Sequence, residues 1–211
     1  MSLYLEGLLM GVVPAFFVGP VLFTLLAAAL DQGFAAGAQV AVGIAVSDVV
    51  AVAVCAAGLG PILTQPWGQW GLQVAGGVIL GGFGAVLVAT ARRAAAPASS
   101  RGRVGAGRHV AAGFVVNFVN PFVFTFWIGA LGALGARADL RPVSVAAFFG
   151  GMITTILATD LLKAWAAGAL QRHLSGPVLV GARRASGVLL AGAGLYLLGQ
   201  AVASGLPGGA P

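Results

Sequence analysis

The sequence is poor in charge, and it contains one cysteine and two histidines. Only 8% of its 211 residues are charged whereas 59% are hydrophobic, so most of its surface cannot lie in water. The single cysteine, Cys55, excludes a thiol-disulfide relay within one chain, because such a relay needs two thiols. Cys55 is interpreted as a small packing residue. The composition predicts a membrane protein.

The same scarcity excludes several kinds of reaction centre. No His, Cys or Asp cluster has the spacing of metal ligands, and no glycine-rich loop carries the Lys and the Ser or Thr of a phosphate cradle. An intramembrane protease would need Ser with His or a motif of paired aspartates, and neither pattern occurs. We therefore expect no enzymatic activity, no cofactor, no resident metal and no ATP-driven transport by this chain.

Long apolar runs are present instead, and six of them suffice for a helix of about 20 residues to cross a bilayer. We expect one all-α polytopic transmembrane domain over residues 1–211, with no soluble domain. The first run has neither the basic start nor the cleavage site of a removable signal peptide, so it is expected to remain as a helix. The six predicted spans are 3–30, 36–60, 69–91, 110–134, 143–166 and 185–204.

Arginines between the spans indicate orientation. The net charge is +6, but the arginines are confined to a few loops, as expected for topology signals, which indicates a lipid bilayer and no nucleic acid as the partner. Eight of ten loop arginines lie on one face, so the positive-inside rule makes that face cytoplasmic and both termini external. A re-entrant first or fourth segment would change this count. The eight are Arg92, Arg93, Arg101, Arg103, Arg108, Arg172, Arg183 and Arg184, and the other two are Arg137 and Arg141.

A linker divides the chain into halves of three spans each. Residues 92–109 contain Ala, Pro, Ser, Gly and Arg without an apolar period, which is typical of a basic cytoplasmic linker. They separate a first three-helix unit, residues 1–91, from a second, residues 110–211. Since three is odd, a second copy of the unit would enter the membrane upside down, as in many secondary transporters.

Two short patterns recur in these halves. Span one contains FVGP, which ends at Pro20, and span four contains NFVNP, which ends at Pro121. One span later, each is followed by a lone aspartate in an apolar helix, Asp48 in the first half and Asp160 in the second. The recurrence predicts two inverted three-helix repeats, in which helices one and four are broken at Gly-Pro and Asn-Pro.

The first break, VVPAFFVGPVL, predicts two half-helices. Pro14 and Pro20 each lack an N–H and are expected to lie inside the helix, where they disturb the hydrogen bond to the carbonyl four residues earlier. Gly19 lets another chain or a ligand approach the backbone. The ends of half-helices suit a carboxylate and an ammonium group, and an amino-acid zwitterion carries both.

The second break carries two amide side chains. Pro121 is expected to free the carbonyl of Asn117, four residues earlier, and Asn120 adds a second amide to the same turn. In a membrane, such polar groups are tolerated only where protein or a water-filled cavity covers them. Two interpretations stay open: the turn binds a polar substrate, or the two asparagines satisfy the broken backbone themselves.

Two acidic side chains lie within predicted spans. An ionised carboxylate near the middle of span two, as at Asp48, is unfavourable unless it faces a partner, water or a cation. Asp48 is therefore a candidate for binding a proton or an ammonium group in alternation, and the alternative is a hydrogen-bonded Asp that ties helices together. Asp160 is followed one turn later by Lys163, so it either matches Asp48 or forms a local ion pair at the membrane surface.

The runs at residues 17–50 and 111–131 resemble the LysE/RhtB family of amino-acid exporters. The resemblance rests on a Gly-Pro in the first span, a Gly-rich turn after it, the Asp of span two, and the pattern G-F-x-x-N-x-x-N-P that opens span four. Length, six hydrophobic segments and a basic central loop also agree. The matching residues are Gly19, Pro20, Gly33, Gly37, Asp48, Gly113, Phe114, Asn117, Asn120 and Pro121.

The resemblance implies a secondary exporter in the cytoplasmic membrane that moves amino acids or related small metabolites and is driven by a proton or another ion gradient. Many members have Pro-Gly-Pro, whereas Val18 precedes Gly19 here and the other proline is Pro14, which leaves the substrate open. Related branches export cadmium or other cations, but this chain has no membrane Cys or His cluster that favours a soft metal. A non-transporting assembly subunit and a homo-oligomer are also compatible with the sequence.

Overall fold

The computed structural model describes residues 2–59, 62, 65–92, 105–135, 141–171 and 173–205. Over these ranges the regular structure is helical, and they contain no strand. The helices are α1 (Leu3–Met10), α2 (Val12–Ala15), α3 (Pro20–Gln32), α4 (Phe34–Val54), α5 (Pro66–Ala89), α6 (Ala106–Phe118), α7 (Pro121–Gly135), α8 (Pro142–Gln171) and α9 (Gly176–Ala203). A π-helical turn, Cys55–Leu59, continues α4.

Four helices are each long and apolar enough to cross a membrane, namely α4 with its π-helical turn, α5, α8 and α9. Two more candidate spans are obtained if each of two bent helix pairs is counted as one span. Leu3–Ala15 meets Pro20–Gln32 at 81°, and Gly107–Phe118 meets Pro121–Leu134 at 67°. The chain is thus a multi-pass membrane protein with four to six candidate spans, and both predicted helix breaks are present.

The start of the last helix differs from the prediction. α9 begins at Gly176, so Arg183 and Arg184 lie within a helix and the prediction that they belong to a loop is wrong. Pro177 occupies the first turn of α9, where its fixed φ favours helix initiation. The charge of Arg183 also has a carboxylate partner, Asp31, which lets the helix extend past this arginine.

The predicted linker lies largely outside the described residues. α5 ends at Ala89, and residues 93–104 are not among those described. α6 begins at Ala106, so the last four residues of the predicted segment 92–109 are helical. Arg108 and His109, which the predicted linker includes, therefore lie in the first turn of this helix.

A single residue separates α3 from α4. Gly33 has a φ of 83°, in the left-handed region that glycine adopts without steric penalty. Its N–H donates to the Ala29 carbonyl at 2.9 Å, which closes the end of α3. The chain reverses at this turn, so α3 packs back against α4.

Glycines on facing helices let backbones approach closely. On α5, Gly77 and Gly84 lie opposite Gly194 and Gly187 of α9, and a side chain at any of the four would meet the partner backbone. Because the numbers rise along one helix as they fall along the other, α5 and α9 are antiparallel. The glycines thus set the distance between the third and the sixth long segments.

Two further glycine contacts each join a half-helix to a continuous helix. Gly43 of α4 touches the backbone of α6, and Gly113 of α6 touches that of α4. In the same way, Gly7 of α1 lies against the backbone of α8, and Gly151 of α8 lies against the backbone of α1. The continuous helices α4 and α8 also pack against each other, so both broken segments lie beside a central helix pair.

The largest buried apolar cluster joins α4, α7 and α8. It includes Cys55, which is 7% exposed and has a free thiol, so the structure agrees with its interpretation as a packing residue. Trp127 is the largest fully buried side chain of the described residues. The core therefore lies directly beside the second helix break.

Candidate functional site

The first break forms at Gly19 and Pro20. Pro20 is the first residue of α3, where its missing N–H removes no helical hydrogen bond, so the prediction that it lies inside a helix is wrong. The backbone of Gly19 is extended, and a Cβ added there would meet nothing within 4 Å. Pro14 does lie within a helix, the short α2, and its carbonyl accepts from the Phe17 N–H at 3.0 Å. The break thus leaves open space beside Gly19.

The second break is closed by its own polar groups. Pro121 is the first residue of α7, and the side-chain oxygen of Asn120 accepts from the Phe122 N–H at 3.1 Å, as a helix cap does. The Asn120 N–H donates to the Asn117 carbonyl at 3.2 Å. The prediction of a free Asn117 carbonyl is therefore wrong, because the chain turns after α6 and a local N–H reaches this oxygen. For Asn120, the structure agrees with the backbone-satisfying interpretation.

Asn117 has a different set of contacts. Its amide Nδ2 donates to Asp48 Oδ1 at 2.8 Å, and it also lies 3.2 Å from Ser47 Oγ and 3.5 Å from the Ile44 carbonyl oxygen. Asn117 and Asp48 are each 4% exposed. The structure thus joins the side chain at the end of α6 to the carboxyl group in α4.

Trp127 is a member of this site that the sequence reasoning missed. Its indole Nε1 donates to the same Asp48 oxygen at 3.2 Å, and the residue is 1% exposed. Phe126 and Phe149 contact the ring edge-on, with centroids 5.0 and 5.9 Å away. The available clue was chemical, since a buried indole N–H needs an acceptor. Two neutral donors, one on each side of the second break, therefore converge on one carboxyl oxygen.

Asp160 and Lys163 form the ion pair that their spacing allows. Lys163 Nζ lies 2.9 Å from Asp160 Oδ1, and the two residues are one turn apart on α8. The Lys163 side chain is 27% exposed and that of Asp160 is 11% exposed. Both residues line the same cavity as Asp48, so the pair faces the interior of the bundle.

The cavity between the two breaks has a volume of about 130 Å³. This is close to the roughly 150 Å³ of an engineered cavity that admits benzene, so the space suits a small metabolite. Its remaining walls are mostly aromatic and aliphatic. Pro20 and Pro121 are not among the lining residues and act by starting half-helices. The predicted site residues that do line the cavity are Pro14, Gly19, Asp48, Asn117, Asn120 and Asp160.

The cavity brings a few polar and ionisable groups together within mostly apolar walls. It presents one carboxyl group with neutral donors, one acid-base pair and an extended backbone at Gly19. Across the described ranges, no group of three or more His, Cys, Asp or Glu side chains could hold a metal ion. The arrangement can therefore bind and release a proton or an ammonium group, and it can pair with a carboxylate.

A second polar cluster, which is partly buried, lies at the opposite end of α3 and was not predicted. Arg183 of α9 forms an ion pair with Asp31 and donates through a second nitrogen to Thr90 Oγ1 at 2.9 Å. Gln171, the last residue of α8, donates to the Asp31 carbonyl oxygen at 3.1 Å. The cluster joins α3, α8, α9 and the residue after α5. Its positions lie where the chain is predicted to face the cytoplasm.

Comparison with known proteins identifies relatives over nearly the whole chain. A family model described as LysE type translocator matches residues 12–201. The curated protein named "Putative amino acid efflux protein YcgF" from Bacillus subtilis (strain 168) is 25% identical over 200 residues, which cover 93% of this chain and 95% of that protein. No solved structure matches.

Proposed function

The chain belongs to the LysE type translocator family, and from this premise we propose that it is a secondary active exporter of amino acids or related small metabolites. Membership of this family identifies the chain as a membrane transporter. The substrate class, the ion coupling and the location in the cytoplasmic membrane belong to the proposal. The similarity to a protein named for amino acid efflux supports the choice of substrate.

The observation that carries the proposal is the environment of Asp48. Its carboxyl group is buried within a span-length apolar helix and accepts hydrogen bonds from two neutral groups, the Asn117 amide and the Trp127 indole. Neutral donors can bond either a carboxylate or the carbonyl oxygen of a protonated acid. Asp48 can therefore change its charge without rebuilding its surroundings. A group of this kind suits the transfer of a coupling proton.

Six crossings are part of the proposal, and the path of the first broken segment supports them. Gly7 lies against Phe148, near the start of α8, and Gly11 lies against Met152 one turn later. At the end of α8, Gln171 donates to the Asp31 carbonyl oxygen. The bent pair therefore follows α8 in one direction along most of its length. A re-entrant loop would instead return to the side from which it entered. We infer that α1, α2 and α3 together cross the membrane once.

The second broken segment follows α4 in the same manner. Gly113 lies against the Val40 backbone, and further along both helices Asn117 donates to Asp48. Beyond the break, Leu134 belongs to the same buried cluster as Cys55, which follows α4. Both breaks thus lie beside the middle of a continuous helix. The pairing of α6 with α4 parallels the pairing of α1 with α8, and α5 pairs with α9. This pattern supports the proposed inverted three-helix repeats and alternating access around the cavity.

The test is transport by inverted membrane vesicles that contain the full-length chain. The vesicles are offered labelled amino acids and divalent cations, with a proton gradient present or dissipated by a protonophore. We expect uptake of at least one amino acid, above vesicles without the protein, and loss of that uptake with the protonophore. Expression of Asp48→Asn provides the matched control, because this variant keeps the size of the side chain but cannot ionise.

Other outcomes would identify the competing functions. Uptake of a cation and of no amino acid would favour a cation exporter of the same superfamily. If no compound is moved, and cells tolerate neutral replacements at Asp48 and Asn120 together, the chain would act as an assembly subunit. Either result would contradict the proposal.

A further inference from the structure

Three ionisable side chains face the cavity among the described residues that line it, and they have different partners. Asp48 is bonded to the neutral groups of Asn117 and Trp127. Asp160 is paired with the ammonium group of Lys163. The cavity therefore combines one carboxyl group held by neutral donors with one acid-base pair.

The geometry of the acid-base pair matches that of an amino-acid zwitterion. An α-amino acid carries its ammonium and carboxylate groups on one carbon atom, so protein groups that bind both must be close neighbours. Asp160 and Lys163 are such neighbours, with 2.9 Å between oxygen and nitrogen. An ammonium group has three N–H donors and a carboxylate has two oxygens, so each retains capacity for a second partner.

We propose that Asp160 and Lys163 bind the charged end of a small, neutral, apolar α-amino acid. The Lys163 ammonium donates to the substrate carboxylate, and the Asp160 carboxylate accepts from the substrate ammonium. The inference rests on the proposed export function and deepens it by naming the substrate class. Asp48 is then left to carry the coupling proton.

The rest of the cavity selects the substrate side chain. The walls include Phe17, Leu22 and Phe126, which offer apolar contacts and no charge. A carboxylate on the substrate side chain would have no second cation in the described lining, and a buried unpaired charge is unfavourable. A side-chain ammonium would instead occupy Asp48, which the coupling step requires. The volume of about 130 Å³ limits the side chain to a small one.

The alternative is a purely local role for the ion pair. Opposite charges three residues apart on a helix stabilise each other, and pairing lowers the penalty of placing them within a membrane. In that case the pair would affect folding and would leave the apparent affinity for substrate unchanged. A direct measurement of that affinity therefore separates the two roles.

The experiment is amino-acid exchange by the purified full-length chain in proteoliposomes, without an ion gradient. Wild-type protein is expected to exchange alanine or valine, and to exchange lysine, glutamate and isobutylamine much more weakly. Isobutylamine is valine without its carboxylate. Lys163→Gln is expected to raise the valine concentration for half-maximal exchange by at least about tenfold, since it removes a charged hydrogen bond to the substrate. Lys163→Arg keeps the cation and should lie much closer to wild type.

Arg184→Gln is the matched control, because Arg184 is an exposed cation of α9 outside the cavity. It should exchange valine as wild type does. An unchanged half-maximal concentration in Lys163→Gln, or equal exchange of valine and isobutylamine by wild type, would overturn the role of the pair and leave export intact. If wild type exchanges no amino acid at all, export itself is contradicted and the inference is overturned with it.

A second measurement covers the case in which Lys163→Gln does not insert. Purified wild-type protein in detergent is heated with valine or with isobutylamine, and its unfolding temperature is recorded. A substrate that binds the folded state raises this temperature. Stabilisation by valine alone would support the proposal, and equal stabilisation by both compounds would overturn it.

Discussion

Asn117 donates to Asp48 across 2.8 Å, so a residue at the break of one segment bonds the carboxyl group of another. The contact links α6 to α4, and Trp127 of α7 bonds the same oxygen. A movement of either half-helix relative to α4 would change the donors available to Asp48. The position of the broken segment thereby sets which hydrogen bonds the Asp48 carboxyl group accepts.

Asp48→Asn is predicted to abolish gradient-driven efflux and to leave exchange in place. The amide oxygen can still accept from Asn117 and Trp127, so the fold should be retained, but the side chain no longer carries a proton. Efflux with a proton gradient and exchange without one are measured on the same preparation. Full gradient-driven activity in this variant would contradict the role of Asp48 as the coupling group.

Trp127→Phe is predicted to lower both stability and coupling. The substitution keeps most of the buried aromatic contact and removes one hydrogen bond to Asp48, at a cost of about 1 kcal/mol in the free energy of unfolding. Trp165→Phe is the control, because Trp165 is 60% exposed and far less constrained by packing. Unfolding in detergent and proton-driven efflux are compared for both variants. Equal effects of the two substitutions would show that the indole N–H of Trp127 has no special role.

The breaks and the site carboxyl group could be predicted from the sequence for a simple physical reason. Proline, glycine and aspartate are unfavourable in an apolar helix, so each marks a position where something must compensate. The partners of these residues could not be predicted. Trp127 lies in the aromatic run FVFTFW, where composition alone does not reveal which ring faces inward. The ion pair between Asp31 and Arg183 joins distant parts of the chain, and only the packing of α3 against α9 brings them together.

The proposed match between the two aspartates is also less regular than the sequence pattern indicates. Asp48 follows the packing glycine Gly43 by five residues, whereas Asp160 follows Gly151 by nine. The second aspartate is thus displaced by about one helical turn of 3.6 residues. At this position Asp160 is paired with Lys163 of its own helix, whereas Asp48 accepts from Asn117, so the two carboxyl groups have different partners.

Asn117→Ala and Asn120→Ala are predicted to differ in their consequences. Asn117→Ala leaves the buried Asp48 without one donor and should lower the free energy of unfolding by about 1–3 kcal/mol, with a strong loss of efflux. Asn120→Ala removes the cap of α7, for which about 1 kcal/mol is typical. Because Asn120 also lines the cavity, this variant should change substrate preference. Unfolding in detergent and efflux of several amino acids are measured, and a larger stability loss for Asn120→Ala would contradict this ranking.

Gly84→Ala is predicted to weaken the packing of α5 against α9. A methyl group at this position would lie against the backbone of Gly187 and Ala191, so the helices must separate, at about 1–3 kcal/mol. Gly82→Ala is the control on the same helix, where an added methyl group meets nothing within 4 Å. Thermal unfolding of the purified variants in detergent is compared. The packing argument fails if both variants unfold at the same temperature as wild type.

Arg183→Gln is predicted to be more harmful alone than together with Asp31→Asn. The single change removes a cation from beside a buried carboxylate, and breaking such a pair typically lowers the free energy of unfolding by about 3–5 kcal/mol. The double variant replaces both charges by amides that can bond each other, so part of the loss should be recovered. Unfolding is measured for wild type, both single variants and the double variant as a thermodynamic cycle. Additive losses would mean that the two side chains stabilise the bundle independently of each other. The ion pair that joins α3 to α9 would then contribute no stability of its own.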